Sequence, residues 1–146
     1  MASSQFTGKD RQTIQLRRAY DPPAPLDGKR FLVDRLWPRG KTKASLQLDA
    51  WIKDVAPSTE LRKWFAHDPV KWPEFKKRYR KELATRPDSL DPLLEAARKG
   101  PITLVYGAKD EIHNEAVVLK EILTECLEPN GQSNQEALAG KDTPRK

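Results

Sequence analysis

The sequence predicts a small single-domain α/β sandwich, in which a mostly parallel sheet of few strands is flanked by helices. Short apolar runs alternate with segments of helical periodicity through the middle of the chain, which is the pattern of α/β proteins. Residues 31–33 are continuously apolar, as expected for a strand that has helices on both faces. A length of 146 residues favours one domain.

The predicted elements of the first half follow from periodicity and proline content. Residues 13–20 alternate well enough for a first strand, and residues 30–36 form the second. Between them, the prolines of residues 21–28 exclude a helix or a central strand, because proline lacks an amide donor and has a fixed φ. Residues 43–55 have no clean period and are expected to form a loop and a short helix.

The second half is predicted to be mainly helical. Ser58 is suited to cap a first helix, which the segment 67–69 ends, and Pro73 lies in the first turn of the next helix. The remaining predicted elements are a helix at 90–99, a strand at 102–106 and a final helix with Asp110 as N-cap and an apolar stripe from Ile112 onward.

Residues 13–127 are expected to form the folded domain, between a flexible N-terminus (1–12) and a disordered C-terminal tail (128–146). The N-terminus lacks the apolar core of a secretory signal, and no apolar run approaches the roughly 20 residues that span a bilayer. Cys126 is the only cysteine, which favours a reducing compartment. We therefore expect a cytoplasmic protein without a membrane partner and, because no Cys/His cluster has metal-ligand spacing, without a metal or cofactor.

The charge balance favours anionic partners. The formal net charge is +6, and residues 13–127 contain 22 basic and 17 acidic residues, so +5 remains with the predicted domain. Phosphorylated metabolites, nucleotides or nucleic acid would match this charge, although a soluble surface of mixed charge gives the same balance. The lysines and arginines at 76–81 are interpreted as a solvated helix face rather than a nucleic-acid patch.

Two predicted strand ends carry the residues that are best placed for chemistry. In a parallel sheet, the loops at 34–41 and 106–114 leave from the same edge, where α/β proteins bind ligands. The start of the final helix suits an anion, although the sequence patterns of glycine-rich phosphate loops are missing. We predict a crevice for a small anionic ligand, with Asp34 as orienting group or base and His113 for proton transfer. The predicted ligand-binding residues are Arg35, Trp37, Arg39, Lys41, Arg62, His67, Asp68, Lys109 and Asn114.

Each of these features also has a purely structural interpretation. Asp34 and Arg35 can form an ion pair that braces the second strand, and His113 can be a polar residue at a helix start. The four tryptophans are better explained by packing than by stacking on bases. Cys126 lies in an apolar stripe and is expected to be a core residue rather than a nucleophile.

Four stretches of the chain resemble the YeaO-like family of bacterial proteins, a domain of unknown function. They are FLVDRLWPRG (31–40), APSTELRKWFAHDP (56–69), FKKRYRKEL (75–83) and TLVYGAKDEIHNEAVVL (103–119). The resemblance covers residues 13–127 and implies a compact cytoplasmic α/β domain with no assigned reaction. More distant relatives carry a Cys-His pair where this chain has His113 and Asn114, so a thiol-based mechanism is not implied here.

Two classes of function remain open from the sequence. The first is an anion-binding domain in which Arg35, Arg39 and Lys109 hold the anion. If this domain is an enzyme, the expected class is a nucleotide- or phosphometabolite-directed hydrolase or transferase. The alternative is a non-catalytic nucleic-acid- or protein-binding regulatory module, which would use the net charge and the basic helix at 76–81.

Overall fold

The structure, a computed structural model, describes residues 14–127. The strands are β1 (Ile14–Arg18), β2 (Lys29–Leu32), β3 (Ala50–Trp51) and β4 (Ile102–Tyr106). The α-helices are α1 (Lys43–Leu46), α2 (Thr59–Phe65), α3 (Trp72–Ala84), α4 (Asp91–Lys99) and α5 (Glu115–Leu127). The expected flexible N-terminus and disordered C-terminal tail lie outside the described residues. Within these residues, no helix combines the length and the apolar character needed to cross a membrane.

The four strands form one parallel sheet in the order β1-β4-β2-β3. Strand β4 lies between β1 and β2, and Leu104 is in register with Leu16 on one side and Phe31 on the other. All five residues of β4 are buried. The predicted α/β class is confirmed, and because all four strands run the same way, their carboxyl ends meet at one edge of the sheet.

The sheet has an apolar cluster on each face. On one face, Phe31 and Leu104 belong to the main core with the apolar sides of α3, α4 and α5. On the other face, Leu32 and Val105 pack with Leu46 of α1 in a smaller cluster. Neighbouring residues of β2 and β4 therefore point into different cores, which explains why the sequence of both strands is continuously apolar rather than alternating.

Two strand predictions need correction. Strand β2 ends at Leu32, although the Val33 N–H still donates to the Val105 carbonyl of β4 at 3.1 Å. The next carbonyl, that of Asp34, accepts the indole N–H of Trp51 at 2.7 Å instead of a backbone N–H. The segment at 43–55 contains the expected short helix α1, but also the edge strand β3, which pairs with Phe31 and Leu32. A strand of two residues is too short to produce a periodic signal.

The start of the last helix also differs from the prediction. Helix α5 begins at Glu115, and the Asn114 side chain accepts the N–H of Val117, as an N-cap does. Asp110 instead closes the turn before the helix, because its carboxylate accepts the backbone N–H groups of Ile112 and His113. Ile112 is therefore outside the helix and is 67% exposed, so it is not part of the apolar stripe.

Candidate functional site

A cavity of about 230 Å³ opens at the carboxyl edge of the sheet. We call it the strand-end pocket. Its walls come from the residues after β2 and β4, from α2 and from the first turn of α5, and Phe65 and Phe75 supply apolar surface. The charged and polar side chains that line it are Asp34, Arg35, Arg62, His67, His113, Asn114 and Glu115. The two predicted loops therefore meet at one pocket. The loop after β2 reaches it with residues 34–36, and the loop after β4 reaches it with residues 107–108 and 113–114.

Asp34 is held in place by the end of β4. Its Oδ2 accepts the backbone N–H of Gly107 at 2.9 Å, and its carbonyl binds the Trp51 indole. A Cβ at position 107 would lie 3.1 Å from the same Oδ2, so the glycine permits this close approach. In the described part of the chain, Asp34 and Arg35 do not form the ion pair that was considered as an alternative. The Arg35 Nε instead donates to the Pro57 carbonyl at 3.1 Å.

Glu115 is a pocket residue that the sequence analysis missed. Its Oε2 is buried and has no hydrogen-bond partner among the described residues. Burial raises the pKa of Glu115 well above its usual value. Repulsion by the Asp34 carboxylate and a hydrogen bond that the protonated Glu115 donates to Asp34 raise it further, whereas Arg62 acts in the opposite direction. Asp34 and Glu115, which we call the carboxyl pair, both line the pocket, and the nearby Asp34 carboxylate disfavours the ionised form of Glu115.

A periodic signal for Glu115 was present in the sequence. Glu115 precedes Val118, Leu119 and Ile122 at spacings of three, four and seven residues, and all three apolar residues are buried. This spacing places Glu115 on the core-facing side of α5. An acidic residue in a first helical turn is ordinarily explained by the helix dipole, and this explanation hid the signal.

Replacing Glu115 by glutamine is expected to remove a pH dependence of stability. The pKa of Glu115 is raised in the folded state. Its contribution to the stability of the protein is therefore fully present at pH values below its ordinary pKa of 4.5, and it is lost as the pH rises through the folded-state pKa. The stability of the wild type should therefore fall relative to Glu115→Gln by up to about 1.4 kcal/mol per pH unit in this window. Urea unfolding at several pH values measures the slope. Glu111→Gln, an exposed acid in the preceding turn, should keep the wild-type slope, and an equal slope in Glu115→Gln would contradict the assignment.

His113 is oriented toward the pocket by Asp110. The Nδ1 atom lies 2.8 Å from Asp110 Oδ2, and the ring contacts Trp72 edge-on with a centroid distance of 5.2 Å. Hydrogen bonds from the His113 ring, and then from the backbone N–H groups of His113 and Ile112, lower the pKa of Asp110 to about 2. With Nδ1 engaged, Nε2 is the ring nitrogen left for a ligand.

The rim of the pocket carries two further cationic or polar side chains on and after α2. Arg62 and His67 are both exposed and both line the cavity. His67 has φ +59° and follows Ala66 with φ +48°, so two successive residues with a side chain adopt the left-handed conformation. Strained backbone of this kind is frequent at ligand-binding and active sites, which is consistent with a functional role for His67.

The other predicted ligand-binding residues do not line this pocket. Trp37 turns toward the opposite face of the sheet, where it packs on the smaller core and its indole N–H donates to the Lys41 carbonyl at 2.7 Å. The Arg39 carbonyl accepts the hydroxyl of Tyr20. Asp68 caps a short 3₁₀ turn through the N–H of Val70. Lys109 is exposed in the loop after β4.

The basic stretch on α3 is largely engaged with acidic neighbours. Lys76 lies 3.6 Å from a carboxylate oxygen of Glu121 on α5, and Arg80 lies 3.0 Å from Glu125. The Arg80 side chain is only 12% exposed, so the prediction that this stretch is a solvated face is wrong for that residue. These pairs join α3 to α5 and leave a smaller positive surface than the sequence suggested.

The comparisons with known proteins place the chain in a family. It is 47% identical over 110 residues to the uncharacterised protein YeaO of Escherichia coli (strain K12), an alignment that covers 75% of this chain and 96% of YeaO. It is 37% identical over 110 residues to the uncharacterised protein Rv3073c of Mycobacterium tuberculosis (strain H37Rv), covering 75% and 92%. No solved structure matches. Residues 13–139 match DUF488-N3i. The chain therefore belongs to the family described as the inactive DUF488-N3 subclade.

Proposed function

We propose that this protein binds a small anionic ligand in the strand-end pocket and does not convert it. The observation that carries the proposal is the convergence of Arg62, His67 and His113 on one cavity of about 230 Å³ at the carboxyl edge of a parallel sheet. Ligands of α/β proteins bind outside this edge, and the volume suits a ligand smaller than a drug-sized molecule.

Arg62 is the residue best suited to hold the anion. In the part of the chain that the structure describes, its guanidinium donates no hydrogen bond, whereas Arg35 is engaged with the carbonyls of Ala56 and Pro57. A free guanidinium presents several N–H donors in the planar arrangement that matches a carboxylate or a phosphate. The first turn of α5, which Asn114 and Glu115 bring to the pocket, adds the positive end of a helix dipole.

The residues that line the pocket fit the hypothesis of ligand binding without catalysis better than the hypothesis of an enzyme. No serine, threonine, cysteine or lysine is among the described residues that line the pocket. The chain also belongs to a subclade that is described as inactive. The His113–Asp110 pair has the geometry of a base and its orienting group, so the hydrolase or transferase hypothesis stays a prediction. The nucleic-acid alternative loses support because Lys76 and Arg80 are paired with acidic residues.

Thermal unfolding in the presence of inorganic phosphate, methylphosphonate or acetate tests the proposal. At equal ionic strength, at least one of these anions is expected to stabilise the wild type more than chloride does. Arg62→Gln should weaken binding by roughly ten- to a hundredfold, the effect of losing a charged hydrogen bond. Lys63→Gln, which removes an exposed charge from the adjacent position of α2, is the matched control and should bind as the wild type does. Equal responses to all anions and chloride would contradict the proposal.

A further inference from the structure

The carboxyl pair gives one wall of the strand-end pocket an unmet capacity to accept hydrogen bonds. Glu115 Oε2 is buried without a partner among the described residues, although the residue lines the cavity. Asp34 Oδ2 already accepts the N–H of Gly107 and adds no donor to this wall. A buried acceptor without a partner is destabilising, and a hydrogen-bond donor on a ligand would satisfy it.

We propose that the natural ligand is a zwitterion, in which a protonated amine contacts Asp34 and Glu115 while an anionic group contacts Arg62. This inference rests on the proposed function and narrows the class of its ligand. The two acids and the cationic rim line the same cavity, so both signs of charge are available to one small molecule. An anion without an amine leaves the buried Glu115 Oε2 without a partner. An amine without an anion does not use the exposed Arg62 guanidinium at the rim.

A protonated amine also displaces the proton of Glu115, the acid of the pair whose pKa is raised. Once a cation lies against both carboxyl groups, Glu115 can ionise, so binding releases one proton to the solvent. Asp34 and Arg62 act on the pKa of Glu115, and Tyr79 and Tyr106 are close enough to interact with it. Arg35, His67 and His113 are the other charged or titratable residues that line the same cavity. Burial raises the pKa of Tyr79 and of Tyr106, so both stay neutral and Glu115 is the source of the proton.

Matched pairs of ligands separate the contribution of the amine from that of the anion. The probes are glycine, β-alanine and 4-aminobutyrate, each compared with acetate, propionate or butyrate of the same length. Dissociation constants are obtained from thermal shifts at about pH 6, 7 and 8, where these carboxylates and amines keep their charges. The ratio of the two constants within a pair cancels the effect of histidine titration on anion binding.

For at least one chain length, the amino ligand should bind about tenfold or more tightly than its partner. At pH values below the raised pKa of Glu115, this ratio should increase with pH by up to about tenfold per unit, because one proton is released. In Glu115→Gln the ratio should fall to about one and lose its pH dependence. The wild-type comparison stands alone if the variant does not fold.

The outcomes distinguish this inference from the function on which it rests. If the plain carboxylates bind in an Arg62-dependent manner and the amino ligands bind no more tightly, the zwitterion is wrong and the anion pocket stands. If an amino ligand is preferred equally by the wild type and by Glu115→Gln, the amine does not contact Glu115 and the proposed contact is wrong. If neither series binds more tightly than chloride, both this inference and the proposed function fail.

Discussion

Replacing Asp27 by alanine is expected to lower the free energy of unfolding by about 3–5 kcal/mol, because it leaves a buried arginine without its counter-charge. Asp27 is 1% exposed and Arg30 is 4% exposed, and their side chains meet at 2.6 Å. Arg17 binds the second carboxylate oxygen at 2.9 Å. Asp27 thus connects Arg17 of β1 with Arg30 of β2. Removing its carboxylate is therefore expected to affect both strands.

The pKa of Asp27 agrees with this role. Burial alone would raise it, but hydrogen bonds from the Ala24 N–H, Arg17 and Arg30 outweigh burial and hold the pKa below its ordinary value of 3.8. The ion pairs therefore contribute stability above about pH 3.8, and this contribution is lost as pH falls through the folded value. The loss in acid should be smaller in Asp27→Ala than in the wild type.

Urea unfolding at neutral pH measures the effect of Asp27→Ala. Asp21→Ala removes an exposed aspartate from the same connection and should change the free energy of unfolding by less than about 0.5 kcal/mol. A cost below about 1 kcal/mol for Asp27→Ala would mean that Arg30 finds another partner or reaches solvent. Arg30 Nη2 is already buried without a partner, which argues against this adjustment.

Gly28→Ala is expected to destabilise the protein by about 2–5 kcal/mol. Gly28 has φ +67°, and a Cβ there would lie 2.1 Å from the carbonyl oxygen of Pro101, a backbone atom that cannot rotate away. The amide of Lys29 approaches the same oxygen at 3.3 Å, so the start of β2 would have to move relative to β4. Backbone strain and the clash both contribute to this cost.

Gly40→Ala separates these two contributions. Gly40 has φ +82°, but no atom lies within 4 Å of a Cβ built there, so only the backbone strain of about 1 kcal/mol should remain. The two variants are compared by thermal or urea unfolding. Equal costs at Gly28 and Gly40 would show that the contact with Pro101 carries no energy.

The fold class and the location of the pocket were predictable from local patterns. The continuous apolar runs around Leu32 and Leu104 indicated strands that are buried on both faces, and the structure buries both residues completely. Parallel strands then required the segments after β2 and β4 to meet at one edge. For this reason Asp34 and His113, which are far apart in sequence, were expected near each other and both line the pocket.

The sequence did not predict which residues of the loops after β2 and β4 face the strand-end pocket, because tertiary packing determines their orientation. The Trp37 indole packs against Trp51, with ring centroids 5.3 Å apart, on the smaller core. This contact draws the segment with Arg39 and Lys41 away from the pocket. Position 51 lies in a two-residue strand that leaves no pattern in the sequence. Glu115 is a different case, because its spacing from Val118, Leu119 and Ile122 did indicate the core-facing side of α5, but its interaction with Asp34 depends on the tertiary fold.

The two histidines allow the most direct test of the anion-binding pocket. The chain contains only His67 and His113, and both line the cavity, so imidazole ¹H–¹⁵N spectra report on the pocket without further labelling of other residues. Titration with inorganic phosphate at constant ionic strength should shift both sets of signals along one saturating curve, and Arg62→Gln should weaken that curve. Histidine signals that do not move, or that respond equally to sodium chloride, would contradict the anion-binding pocket.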